Sequence, residues 1–166
     1  MPNPNQALLE KIVQLNTAVL DAIAEVTPAE LKLSSVDEDW PLGLVVSHIN
    51  RGYSNVAGWI ERIIKGQPIA VTGADIQEAN TEAKDHYTEL TLDELVTSLK
   101  ANMATVSRLV QSLNEEQLAK TAPMALVGGK EVNPAFVIDA VLVGHTTGHL
   151  ESIKLTLASV RDEITT

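Results

Sequence analysis

Two histidines four residues apart stand in the stretch Val143-Gly-His145-Thr-Thr-Gly-His149-Leu-Glu-Ser-Ile-Lys154. If this segment is helical, both lie on one face. At that spacing two imidazoles can grip one metal ion from a single rigid element. The whole chain holds four histidines, His48, His86, His145 and His149. The spacing is common, so chemistry here needs a third ligand, a frame and a cavity from elsewhere in the chain. Without them, His145 and His149 are helix histidines with ordinary hydrogen bonds.

The frame must come from helices. At 166 residues the chain can build one sizeable core, and one domain over 1–166 is expected. Its apolar content of 45% is that of a globular protein, while aromatics make up only 3%, so Leu, Ile, Val and Ala must fill the core. A net charge of −10 with no basic run argues against binding nucleic acid or an anionic membrane surface. The absence of cysteine removes disulfides, thiolate metal sites and a protein thiol nucleophile. The first residues, Met-Pro-Asn-Pro-Asn, have neither the basic start nor the apolar stretch of a secretion signal. No apolar run reaches membrane-spanning length. A soluble cytoplasmic protein is expected.

Apolar residues at helical spacing predict a first long helix over Asn5 to Val26, and Thr27-Pro28-Ala29-Glu30 reads as a new helix start. A second helix should run from Pro41 to Lys65 and stop at Gly66. His48 lies at the edge of its apolar stripe, in line with Gly52, Asn55 and Trp59. Residues 66–90 read as a long polar connection, of the kind that forms a crossover or a functional loop. Thr91-Leu-Asp-Glu94 opens a third helix reaching Leu113. Asn114-Glu115-Glu116-Gln117 repeats the pattern of Thr27–Glu30, and Gly128-Gly129 can close a small hairpin between Met124–Val127 and Lys130–Val132. Asn133-Pro134 caps a fourth helix, apolar nearly all round and therefore expected to be the most buried.

The expected fold class is all-α, a four-helix bundle. Short links after the first and third helices make those neighbours antiparallel. The long link over 66–90 can cross the bundle, giving an up-down-down-up order. His48 would then lie ~10 Å along the second helix and His149 ~15 Å from the end of the fourth, at similar depth. His48, His145 and His149 can meet.

With Trp40-Pro41, Val46-Ser47-His48-Ile49 and His145-Thr-Thr-Gly-His149-Leu, together with Val-Thr-Pro-Ala-Glu-Leu after the first helix, the chain resembles the DinB/YfiT-like superfamily over essentially its whole length. The resemblance implies a four-helix bundle with a metal-binding triad, carried over as His48, His145 and His149. It also implies a homodimer, and an activity among thiol-dependent transferases, isomerases and hydrolases.

Three neutral imidazoles suit zinc, nickel, iron or copper and leave a divalent ion open positions for catalysis. A divalent-metal-dependent enzyme acting on a small molecule is therefore expected, either a hydrolase or a transferase whose low-molecular-weight thiol arrives as a cosubstrate. The alternative is a non-catalytic small-ligand-binding or stress-response bundle. His86, expected just before the third helix, is a candidate acid or base, although a solvated loop histidine is the commoner case. Glu151 and Asp139 are candidate partners for the ligand imidazoles, with Ser152 nearer their face. Gly144 and Gly148 permit close approach or tight packing. Trp40, Tyr53 and Trp59 read as core or pocket wall, and Asp37-Glu38-Asp39 as a solvated cap on the second helix.

Overall fold

Apolar stripes at helical spacing produce four long helices in the computed structural model, which describes residues 4–164. Helix α1 spans Pro4–Ile23, α2 Leu42–Ile64 and α4 Leu92–Ser112. The last bundle helix begins as α6 over Pro134–Phe136, widens into a π-helix over Val137–His145, and returns to α-geometry as α7, Thr146–Ile164. α1 and α2 each pack against both α4 and the last helix. The result is a four-helix bundle.

Three of the expected helix starts are capping boxes in the structure. Thr27 and Glu30 exchange hydrogen bonds at a 3-10 turn, Thr91 and Glu94 do so at α4, and Asn114 and Gln117 do so at α5, Glu115–Ala119. α2 stops where a left-handed residue is needed: Gly66 has φ +66°, and Gln67 N–H donates back to the Arg62 carbonyl. Strands β1 (Ala122–Met124) and β2 (Lys130–Val132) pair antiparallel, with Gly128 and Gly129 both at positive φ in the turn. Ile69 joins this hairpin, accepting from Ala125 N–H and donating to the Pro123 carbonyl.

Two expectations need correction. Residues 66–90 are not a structureless connection, because Gly73–Asp85 forms a helix, α3. It lacks an apolar stripe and buries no residue, so periodicity could not reveal it. Its signal was the Thr72-x-x-Asp75 capping box, which forms with Thr72 N–H donating to Asp75 at 2.7 Å. The deepest element, moreover, is α2 and not the last helix. Val45, Ile49, Tyr53, Val56, Ile60 and Ile63 are all fully buried, whereas Leu155 in α7 is 58% exposed. α2 lies between α4 and the last helix, while the last helix turns one face toward solvent and a cavity.

Polar contacts set the relative heights of the helices. Asn5 donates to the Leu113 carbonyl, joining the start of α1 to the end of α4. The buried Tyr53 hydroxyl donates to Asn16 at 2.7 Å, and Asn50 on α2 bonds both Ser98 and Asn102 on α4. At Gly43 a β-carbon would collide with the Tyr87 hydroxyl, so glycine lets that ring lie against the start of α2.

Candidate metal centre

His48 reaches the site from the second turn of α2, at the border of its buried stripe and only 8% exposed. His145 ends the π-helix, and His149 follows one turn later in α7. His48 contacts the last helix at His145 and His149, whereas Trp59, three turns further along α2, shares a cavity with Val141 and Leu142. The two helices therefore run in opposite directions, and the three histidines come to one level.

Their Nε2 atoms face one another. His48 Nε2 and His149 Nε2 lie 3.1 and 3.0 Å from His145 Nε2. These distances leave the three nitrogens close enough to act as ligands of one ion. Burial first, and then the neighbouring His149, His145 and Arg51, pull the His48 pKa down to about 3. His145 is exposed but its pKa is also shifted down, by desolvation and then by His149. Two neutral imidazoles thus bring their Nε2 atoms to a common point, and in the tautomer protonated at Nδ1 each is a donor matched to a borderline divalent cation.

The ring behind His149 is built in detail. Glu38 Oε1 lies 2.6 Å from His149 Nδ1, while Ser152 and Ser35 hydroxyls donate to Oε2 at 3.1 and 2.8 Å. This contact holds the Nδ1 proton in place and leaves Nε2 free as a donor of its lone pair. Burial raises the Glu38 pKa, but the hydrogen bond from Ser35, the charge of His149 and the bonds from His149 and Ser152 outweigh it, and the net value falls below the usual one. The loop carrying Glu38 is itself held: Ser34 bridges to Pro41, Ser35 N–H donates to the Trp40 carbonyl, and Val36 N–H donates to Thr156 on α7. Asp39 takes φ +54°, a left-handed conformation that Asp tolerates better than most residues.

Glu38 therefore corrects the reading of Asp37-Glu38-Asp39 as a solvated cap. Asp37 and Asp39 are exposed, but Glu38 turns inward to the triad. The partners expected from sequence lie elsewhere: Asp139 pairs with Lys11 and Glu151 with Lys154. Ser152 was correctly placed near the histidine face. No local pattern marks Glu38, because its role depends on a loop folding back over a helix more than a hundred residues away. His86 is exposed at the C-cap of α3 and does not line the cavity beside the triad.

The family model of the DinB superfamily matches residues 11–153. The chain belongs to the DinB superfamily. The structure of this DinB-like chain is similar to YfiT from Bacillus subtilis, described as a probable metal-dependent hydrolase with an unusual four-helix bundle topology. The TM-score is 0.76 at 15% identity, covering 94% of this chain and 87% of that one. A mycothiol-dependent maleylpyruvate isomerase matches with TM-score 0.72 at 13% identity, over 92% of this chain but only 63% of the isomerase. A protein from Streptococcus pneumoniae matches with TM-score 0.66 at 19% identity, over 94% and 93% of the two chains. At these identities the likeness concerns the fold. No curated protein sequence matches the chain.

A cavity of about 280 Å³ opens on the other side of the triad. His48 and His145 form one end, and Gly52, Asn55 and Trp59 extend along α2, the line of residues expected to follow His48. The overlooked helix α3 closes the far side with Ile76, Ala79 and Asn80. Trp40 stands edge-on to His48, ring centres 5.4 Å apart, and Tyr53 belongs to the core. Neither of two glycines was needed for close packing: a β-carbon at Gly148 would meet no neighbour within 4 Å, and one at Gly144 would meet only the Asp139 carbonyl at 3.5 Å.

Proposed function

We propose that His48, His145 and His149 hold a divalent metal ion through Nε2, and that the protein is a metal-dependent enzyme acting on a small molecule bound in the adjoining cavity. The observation that carries this reading is the convergence of three Nε2 atoms with Glu38 fixed behind one of them. When bound, such an ion polarises a substrate carbonyl or activates a water or a thiol. The residues of the chain supply the rest. Glu38 holds His149 in one tautomer and orientation, α2 and the last bundle helix keep the imidazoles at one level, and the apolar cavity walls exclude water from a bound molecule. The class of reaction is that of a hydrolase or a thiol-dependent transferase. With no cysteine in the chain, a thiol would arrive as a low-molecular-weight cosubstrate. YfiT's description favours the hydrolytic branch, and the isomerase's use of mycothiol favours the thiol branch.

Elemental analysis of protein purified from metal-supplemented culture tests the proposal. One equivalent of zinc, nickel or iron per chain is expected, falling toward zero in His145→Ala. Metal-free wild type after such expression, or equal metal content in the variant, sinks it.

A further inference from the structure

The cavity has one charged wall residue. Arg51, a turn after His48 on α2, is half-buried in its wall, and among the described residues no acidic side chain lines the space. Among the described residues, no carboxylate lies within ion-pair distance of this cation. Arg51 instead donates to three neutral acceptors at long range: His48 Nδ1 at 3.2 Å, Asn80 Oδ1 at 3.3 Å and the Ala79 carbonyl at 3.4 Å. A guanidinium offers five donors in a planar fork matched to a carboxylate, so these three long contacts leave two donors unused.

One of them is also incompatible with a loaded triad. Arginine can only donate, so the contact at His48 Nδ1 needs a lone pair there. A neutral imidazole that ligates through Nε2 carries its proton on Nδ1 and must donate from it. Both cannot hold at once. Loading of the triad would release this arm of Arg51, with the cavity beside it.

The cavity has also been kept empty at some expense to the helix. Gly52 sits within α2, where glycine costs about 1 kcal/mol relative to alanine. A β-carbon there would meet no atom within 4 Å, so packing does not require glycine. Its missing side chain enlarges the space directly beside His48 and Arg51.

We propose that this cavity takes a small, mainly apolar molecule by its carboxylate, with Arg51 as the anchor beside the triad and the remainder of the molecule lying along Gly52 and Trp59. The carboxylate site stands on Arg51 and the cavity; only the release of Arg51 from His48 rests on the metal-centre reading. A single guanidinium with amide neighbours suits a monoanionic carboxylate better than a phosphate dianion, which recruits several cations.

Calorimetric titration of benzoate and of its neutral isostere benzamide tests this, using the full chain with and without zinc. Wild type should prefer benzoate by roughly tenfold or more, the effect of one charge-assisted pair. Arg51→Gln should abolish the preference by weakening benzoate alone, Arg51→Lys should restore part of it, and Gly52→Leu should block both probes. Asn80→Ala loosens the same tether to α3 and should keep the preference. The proposal is overturned if the preference survives Arg51→Gln, or if Asn80→Ala removes it equally, or if wild type binds neither probe. Zinc content measured on the same samples separates the two readings. Arg51→Gln with full zinc and no preference supports the anchor beside an intact metal centre. Wild type without zinc but with an Arg51-dependent preference supports the anchor and refutes the metal centre.

Discussion

The triad has two unlike walls. Behind His149, a carboxylate, two serine hydroxyls and a bent loop are interlocked, and both carboxylate oxygens of Glu38 have partners. Beside His48 there is a cavity, a glycine, a loosely held arginine and a helix that buries none of its residues. The first wall has the character of a support that fixes the orientation of His149. The second has that of a receptor, with capacity left for something to bind. Preorganised sites need both, since rigidity on all sides would leave no entry and openness on all sides would leave the ligands unoriented.

The largest effect should come from the shared element. His145→Ala should weaken divalent-metal affinity by roughly a hundredfold or more, because even partners of ligands cost 10- to 100-fold when removed. A zinc-competition titration would show it, and unchanged affinity would deny the triad its role. Next comes the supporting wall. Glu38→Gln keeps the size but loses the charge, and metal affinity should fall by about 10- to 100-fold in the same assay. If Glu38→Gln has no effect while Arg51→Gln weakens metal binding, the assignment of the two walls is reversed.

Acid should separate the walls without mutation. The pKa of His48 is held near 3 in the folded protein, against 6.5 ordinarily. Below pH 6.5 the unfolded chain therefore takes up a proton that the folded chain refuses, and the metal-free protein loses stability as pH falls from 6.5 toward 3. The slope is on the order of 1 kcal/mol per pH unit. Glu38 is shifted the other way relative to its charge: its pKa lies below the ordinary 4.5, so the stability it contributes is intact above 4.5 and is lost below it. Urea midpoints between pH 7 and 5 should fall in wild type and fall less steeply in His48→Gln, where the lowered His145 still contributes, while Glu38→Gln retains the wild-type slope over that range.

The smallest effect concerns α3. Thr72→Ala removes a capping box worth about 1 kcal/mol to the helix itself. With nothing buried beneath it, α3 should open locally without loss of the bundle. Hydrogen exchange should quicken over residues 73–85 with the global midpoint almost unchanged. A large fall in that midpoint would make α3 part of the core and not a mobile cover on the cavity.

Where a role depends on spacing along one helix, it was legible. His145 and His149 share a face at i, i+4, and His48 stands in line with Gly52, Asn55 and Trp59, which do form the cavity wall. Capping boxes at Thr27, Thr91 and Asn114 were readable because donor and acceptor lie three residues apart. α3 was missed because a helix lying on the surface needs no apolar stripe. The inward turn of Glu38 was missed because the same Asp-Glu-Asp run in solvent would look identical.

From the sequence by itself came the helical class, the bundle, the acidic surface and the three histidines as a set, since periodicity, charge and ligand chemistry are properties of residue type and local spacing. Only the tertiary structure decided that Glu38 serves His149, that Asp139 and Glu151 do not, that the last helix passes through π-geometry to reach His145, and that Arg51 faces a cavity without a counter-charge. Each of these depends on which segments distant in the chain come within hydrogen-bond reach, a distance of about 3 Å that spacing along the chain does not encode.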